Sequence, residues 1–591
     1  MTLWDRYYQA RFGKSGMVAA AHPLAALAGL NALQEGGNAM DACIVMAGVT
    51  SVVLPHMCGL GGDAFFIYYD AKNQRISALN SSGFTGDLAT HGFFLGMNNS
   101  GTRNTPRMMP QDGILSVAVP GAPMGYEIGL KEFGSFDLKQ AFEPAVRLAE
   151  NGFPVTPSFS RAVFNERYKL EKYPESGKVF LEGGKGPKIG DMFYQHDLAG
   201  TLRGFSEGGT EYFYTGPFAR QFYRLNDAIA AGTVRGCQDS HTGSSSSSGS
   251  WAKGKSTFTG NEFRRFYERP PKFYTPIHVD YRGCTIYQTG PVSQGFLTLE
   301  QMKILENFDM PALEPGDPEG IHLMIEAKKL AFRDRNLYAG DPAYSGFDVS
   351  GFISAEHTQV LSTLINPLKA LSNEELGTRG LDTDIQGDTT FFAVVDGQGN
   401  ACSFIHSNAF SFGSGLVVPG TGVILNNRAG RSFVLEEGHP NCVAPGKKPM
   451  HTLNCYMVFR NGSNTLHGSI LERQLYIVGG TPGGDGQPQW NMQMLNLMLD
   501  HGFGPQAACD FPRWLSFPGT DVLNLDKPME VRMESRFSPK TRLALGKLGH
   551  SVRSLEPWAG GGGAQIIMLD PDSGLLLGGS DRRLEGMAIG Y

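Results

Sequence analysis

Two adjacent threonines, Thr389 and Thr390, open an apolar run in the stretch GDTTFFAVVDGQGN, residues 387–400, with no histidine close enough in sequence to activate either hydroxyl. A threonine hydroxyl is a poor nucleophile until a base takes its proton. The chain can supply that base itself. If the Asp388–Thr389 bond is cut, Thr389 becomes an N-terminus. Its α-amine, with an intrinsic pKa of about 7.7–8.0, then sits beside its own hydroxyl. Nucleophile and base would belong to one residue. Taken alone, the pair also fits plain β-propensity at the mouth of a strand. A second chemical signal is TPGGDGQPQ, where Gly483 and Gly484 lead into a helical pattern. Residues without side chains let backbone N–H groups approach a developing negative charge, although an ordinary turn before a helix has the same composition.

Three other motif matches lack the elements they need. GSWAKGKS, residues 249–256, spells a phosphate loop, but a serine run precedes it where a buried strand is required. GFSEG, residues 204–208, spells a hydrolase elbow, yet Leu198, Leu202 and Phe205 stand at helical spacing, so it reads as a helix end. GLGGDAF lacks the full dinucleotide-binding spacing and reads as a turn. The fourteen histidines form no HExxH pair or other close metal constellation in sequence. His406 in a predicted strand and His451 after KKPM are therefore expected to be hydrogen-bonded structural residues.

Around these signals, 591 residues with a formal charge of −6 give ample core and no electrostatic footprint for nucleic acid. Cysteines at 43, 58, 237, 284, 402, 442, 455 and 509 include no CxxC pair, so free core thiols are expected rather than a zinc site or disulfide framework. The N-terminal stretch lacks the order of a secretory signal, and the longest apolar run, residues 42–54, is too short to span a bilayer. A soluble, cytoplasmic protein without membrane contact is the expectation.

The elements follow from periodicity. Pro23 opens a helix with Leu24, Leu27, Leu30 and Leu33 at three-residue spacing, and AMDACIVMAGVTSVV reads as a second, largely buried helix. CGLGGDAF turns into the strand FFIYYD. PEGIHLMIEAKKLAFRDRN places Ile321, Met324, Ala327 and Ala331 on one face with charges opposite, the pattern of a surface helix. Residues 231–255 are Ser/Gly-rich and aperiodic, a flexible insertion. After Thr389 the runs TTFFAVVD, NACSFIHSN, TLNCYMVFR and AQIIML read as strands, and PQWNMQMLNLMLDHG as a helix. Strands bracketed by helices predict a layered α/β or α+β body.

Collinear blocks along nearly the whole chain resemble the γ-glutamyltransferases, self-cleaving N-terminal-nucleophile hydrolases. The blocks are SGMVAAAHPLAALAGLNALQEGGNAMDA, LGGDAFFIYYD, GPVSQGFLTLEQMKILENFD, IHLMIEAKKLAFRDRNLYAGDP, GDTTFFAVVDGQGNACSF, FGSGLVVPGTGVILNNR, GGTPGGDGQPQ and GGSDRRLEGMAIGY. The resemblance implies an α+β fold, a four-layer αββα sandwich. It also implies a heavy segment, 1–388, and a light segment, 389–591, intertwined in one body. Thr389 would be the nucleophile, attacking the Asp388 carbonyl during processing and a substrate amide afterwards. Gly483 and Gly484 would form the oxyanion hole, and Ser407 would hydrogen-bond the nucleophile. Asn426 and Asn427 keep the family's paired asparagines as loop-fixing groups beside the substrate. The mechanism requires neither a metal nor an organic cofactor.

The resemblance breaks at the acyl-donor pocket. The family's carboxylate-binding arginine corresponds to Ser82, its ammonium-binding aspartate to Gly430 or Arg431, and its serine pair to His451 and Thr452. Arg428 or Arg431 would have to hold a carboxylate from another direction, because burying one without a cation costs several kcal/mol. Three readings follow: a hydrolase of γ-glutamyl compounds such as glutathione, with transfer to amino acids or peptides; a hydrolase of another small amide, oxamate-like or an acylated β-lactam side chain; and a silent relative that only binds ligands.

Overall fold

Along the strand Gly387–Val395 successive side chains enter two different apolar clusters: Phe391, Ala393 and Val395 one, Phe392 and Val394 the other. That period of two, apolar on both faces, marks a strand buried on both sides. The computed structural model describes residues 7–97, 108–234, 255–376, 387–461, 465–466, 469–470, 473–518 and 529–591. The sheet strands in chain order are β1 (Arg11–Gly13), β2 (Met17–Ala20), β3 (Asp63–Asp70), β4 (Arg75–Ser81), β5 (Ile277–Tyr281), β6 (Cys284–Gln288) and β7 (Gly387–Val395). They continue with β8 (Ala401–Phe410), β9 (Tyr456–Asn461), β10 (Arg473–Gly480), β11 (Gln565–Leu569), β12 (Leu576–Ser580) and β13 (Met587–Gly590).

One sheet has six strands in the order β13-β2-β7-β8-β3-β4, the other seven in the order β1-β12-β11-β10-β9-β6-β5. Both take strands from either side of residue 388, and all their pairings are antiparallel. Between the sheets lies the cluster of Phe65, Ile67, Phe391, Ile405, Met457, Val478 and Ile567.

Two helical layers cover the outer faces. Against the six-stranded sheet lie α1 (Pro23–Gln34), α2 (Ala39–Val53), α3 (Ala122–Phe133), α4 (Leu138–Asn151) and α5 (His196–Tyr214). Against the seven-stranded sheet lie α6 (Phe296–Leu305), α7 (Pro318–Tyr338), α8 (Ala355–Thr363) and, beyond the short α9 (Arg428–Ser432) near the first layer, α10 (Gly486–Leu495). The result is the expected α+β sandwich of four layers, helix–sheet–sheet–helix.

Two element readings change in detail. In α1 the buried face is Ala25, Ala26, Gly29, Ala32 and Leu33, while Leu27 is exposed. The small residues let α1 lie directly on α2, where a Cβ at Gly29 would meet Met46 Sδ at 2.7 Å. Of the four spaced leucines only Leu27 turns outward, while Leu33 is buried and Leu24 and Leu30 pack partly on the core. Helix α7 is not a surface helix: Glu326, Lys328, Lys329, Asp334 and Arg335 are buried along with its apolar face. Its charges are met partly within the helix, Lys329 Nζ lying 2.7 Å from Glu326 Oε1, and partly by covering segments, Arg335 by Asp485 and Asp334 by His357.

Other expectations hold. All fifteen residues of α2 are buried. Ser206 of GFSEG lies inside α5, three residues before a break at Gly209 (φ 57°), with no strand entering it. Among the described residues the cysteines are free thiols and no helix is long and apolar enough to cross a membrane. Cys237 and most of the Ser/Gly-rich insertion, including nearly all of GSWAKGKS, fall outside the described residues.

Candidate active site

Thr389 is the third residue of β7 and is 1% exposed. The register places its side chain on the inter-sheet face, in phase with Phe391 and Ala393. Opposite it the neighbouring strand is irregular. Thr390 pairs with His406 and Asp388 with Ala409, so Ser407 and Asn408 together face Thr389. This is a β-bulge, a device that re-aims side chains next to functional sites. Ala409 carries it with a positive φ of 84°, and its N–H donates to Ser407 Oγ at 2.9 Å. The Thr389 hydroxyl donates to the same Ser407 oxygen at 3.0 Å. Ser407 thus reads the bulge and the threonine together. The backbone of Asp388 remains in β7, paired with Ala409.

A charged wall adjoins this pair. Asp63, the first residue of β3, lies across the strand pair from Ser407 and is fully buried. Its Oδ2 accepts from Arg428 Nε at 3.3 Å, and His451 Nε2 stands 3.9 Å away. Burial pushes the Asp63 carboxyl up to about 6, with the Arg428 charge opposing that rise, and burial draws Arg428 down to about 10. Arg428 Nη1 reaches Thr452 Oγ1 at 3.5 Å, while Nη2 has no hydrogen-bond partner among the described residues. His451, fully buried, also lacks a hydrogen-bond partner on either ring nitrogen among the described residues, and its ring lies 4.8 Å from that of Phe65, tilted by 38°. Burial and then the nearby cations hold it well below the usual histidine range. Its expected role as a hydrogen-bonded structural residue is therefore not what the structure shows. His406 fits that description instead, held by Thr50 and Tyr126 at 2.9 Å each.

The glycine loop is joined to this wall through Gln294. Beyond β10, Gly483 and Gly484 have φ of 120° and 55°, a region that favours glycine. A Cβ at Gly483 would lie 2.2 Å from Trp490 Cζ3. Their carbonyls accept from the Gly486 and Gln487 amides that open α10, whereas neither glycine N–H has an acceptor among the described residues. Gln294 Nε2 ties the loop to the charged wall by donating to Gly484 O at 3.0 Å and Thr452 O at 3.1 Å. Asp485 lies between two arginines, 3.5 Å from Arg431 Nη2 and 3.7 Å from Arg335 Nη1.

The remaining candidates divide by what their polar atoms do. Asn426 bonds Gly61 O and Ala118 O through Nδ2, and Ala118 and Arg428 amides through Oδ1. Asn427 bonds Gln111 O and the Phe410 amide. Both side chains hold loops. Ser82, just past β4, is fully buried and its hydroxyl has no hydrogen-bond partner among the described residues. Sequence reasoning missed Asp63, Gln294, Arg335 and Asp485. Only the Asp63 position, ending a glycine turn at the start of a strand, carried a usable signal. The arrangement offers a buried hydroxyl with a fixed acceptor, two unengaged N–H groups and a wall bearing buried charges, groups that acyl transfer from an amide can use.

Residues 25–591 match the model of the family described as gamma-glutamyltranspeptidase. The glutathione hydrolase-like YwrD proenzyme of Bacillus subtilis (strain 168) is 33% identical over 98% of this chain and 99% of its own length. The oxamate amidohydrolase proenzyme of Klebsiella pneumoniae is 31% identical over 98% of each chain. Among solved structures, the cephalosporin acylase from Bacillus halodurans superposes with a TM-score of 0.82 at 30% identity, covering 100% of this chain and 98% of its own.

Proposed function

Because the chain belongs to the gamma-glutamyltranspeptidase family, we propose that it is a self-processing amidohydrolase whose nucleophile is Thr389. The observation that carries this reading is the buried Thr389 hydroxyl, donated at 3.0 Å to Ser407 across a bulged strand pair. Thr389 Oγ attacks the Asp388 carbonyl carbon, the C–N bond breaks, and the Asp388 acyl group moves to oxygen. Water then cleaves the ester, leaving an Asp388 carboxylate and a free Thr389 α-amine. The products are a heavy segment, 1–388, and a light segment, 389–591, held together by the shared sheets.

In turnover the α-amine takes the hydroxyl proton as Oγ attacks the substrate amide, and returns it to the departing amine. Gly483 and Gly484 N–H groups receive the oxyanion. Water, or an amino-acid or peptide amine, resolves the acyl-enzyme. Hydrolysis of γ-glutamyl compounds such as glutathione is the first reading of the donor. The free, largely buried thiols among the described residues suit a reducing compartment, and we place the reaction in the cytoplasm.

A second donor class is favoured by one observation. Ser82 stands, with an unpartnered hydroxyl, where the resemblance puts a carboxylate-binding arginine, and the cations lie instead on Arg428 and Arg431. That wall fits a short carboxylate-bearing amide, oxamate-like, or an acylated β-lactam side chain. Purified protein assayed in parallel on γ-glutamyl-p-nitroanilide, glutathione and oxamate separates the readings. Turnover of either γ-glutamyl compound supports the first, and ammonia from oxamate alone supports the second. An uncut chain inert towards all three is the silent relative.

A further inference from the structure

Two groups of metal-ligand residues lie in the helical layer over the seven-stranded sheet, apart from Thr389. They differ in how their atoms are engaged. In His322, Glu326 and His550 every facing atom has a partner. The two rings share a 2.8 Å hydrogen bond, and His322 Nε2 donates to Asn366 O at 2.8 Å. Glu326 accepts from Lys329 Nζ at 2.7 Å and from the Leu371 amide at 2.8 Å. A cation there would have to displace an ammonium.

Glu300, Asp334 and His357 come from three helices, α6, α7 and α8. His357 Nε2 lies 2.7 Å from Asp334 Oδ2 and 3.7 Å from Glu300 Oε1. One ligand atom from each residue lies within 4.8 Å of the others. Glu300 is fully buried, and neither of its carboxylate oxygens has a hydrogen-bond partner among the described residues. A buried acid without a hydrogen bond costs roughly 1–3 kcal/mol, and here its neighbours are a second carboxylate and an imidazole. The other Asp334 oxygen is oriented by Arg333 Nε and Nη2 at 3.2 and 3.1 Å. The His357 side chain is 32% exposed, which leaves an entry path and a coordination position for water.

We propose that Glu300, Asp334 Oδ2 and His357 Nε2 bind one divalent transition-metal ion of the zinc type. Ligand atoms bound tetrahedrally at zinc distances stand roughly 3.3 Å apart, between the two separations measured from His357 Nε2. Two carboxylates with one imidazole suit zinc over magnesium, which keeps an all-oxygen octahedron. The ion fastens α6 to α7 and α8. Helix α6 starts just after Gln294, whose side chain holds the Gly484 loop, so the site braces the support of that loop.

The test uses the full-length protein after chelator treatment and dialysis, titrated with Zn2+ alone against a chromophoric chelator and followed by thermal melting. Wild type takes up about one equivalent and melts higher with Zn2+, as ligand binding to the folded state requires. Mn2+ binds more weakly and Mg2+ more weakly still. Glu300→Gln, close to isosteric, and His357→Ala each lose at least the ~10–100-fold in Zn2+ affinity typical of disturbed metal sites, while His550→Ala keeps wild-type uptake. Should His357→Ala fail to fold, Glu300→Gln alone decides. No uptake by wild type, unchanged uptake by Glu300→Gln, loss confined to His550→Ala, or Mg2+ binding as tightly as Zn2+ would each overturn the assignment. None of these readouts depends on cleavage at Thr389.

Discussion

The two walls around Thr389 obey different rules. On the strand side, Ser407 Oγ accepts from both the Thr389 hydroxyl and the Ala409 amide, and the bulge fixes where both point. In the adjoining charged wall Arg428 Nη2, both His451 ring nitrogens, Asp63 Oδ1 and Ser82 Oγ are buried without hydrogen-bond partners among the described residues. Polar atoms inside proteins are rarely left unpaired unless a ligand or water is meant to meet them. On the function proposed above, the strand wall positions the nucleophile and the charged wall receives the substrate, which would separate chemistry from specificity.

The strongest way to break that separation is at the nucleophile. Thr389→Ala should abolish self-cleavage, seen as a single band on denaturing gels, and lower amide turnover by at least about 10⁴-fold, the scale of losing a nucleophile. A residual cut at the same bond would place the reaction elsewhere. Next in size is Gly483→Ala. It sets a Cβ against Trp490 in a positive-φ loop, and should lower kcat by about 10²–10³-fold, the effect of losing an oxyanion donor. Circular dichroism checks that the fold persists.

In the charged wall, Arg428→Met leaves Asp63 buried without its cation. Stability should fall by about 3–5 kcal/mol in denaturant titration, yet the folded fraction should still split its chain, because processing needs no donor pocket. Ser407→Ala removes a hydrogen bond worth about 1 kcal/mol, so processing should slow roughly five- to tenfold, and Ser407→Thr should restore it. The smallest effect is electrostatic. Burial holds Asp63 near 6 in the folded chain, above its ordinary value, so the folded state keeps this proton more tightly than the unfolded state. The stability difference between wild type and Asp63→Asn should fall as pH rises from about 4 through 6, then level off. A difference that grows over that window would mean Asp63 is held ionised by Arg428.

Much of this was legible in the sequence where the signal is local. The strand after Thr389, the buried helix Ala39–Val53 and the glycine pair ahead of α10 follow from short runs of residue types. Pairings over distance were not. Asp63 meets Arg428 across 365 positions, and no local pattern announces it. The bulge opposite Thr389 is equally silent, because Ser407 and Asn408 sit in a run that alternates like any strand. Helix α7 misled for a physical reason: its charges look solvated until Lys329 is seen on Glu326 and Arg335 beside Asp485. The histidines misled likewise, since sequence spacing could not bring His357 to Glu300 and Asp334.

The proposed backbone cut that hands Thr389 its own amine is tested most directly by mass spectrometry of the purified active protein. It predicts two chains, one ending at Asp388 and one beginning Thr-Thr-Phe-Phe. Full amide turnover from a single uncut polypeptide, or a new N-terminus at any other residue, would contradict it.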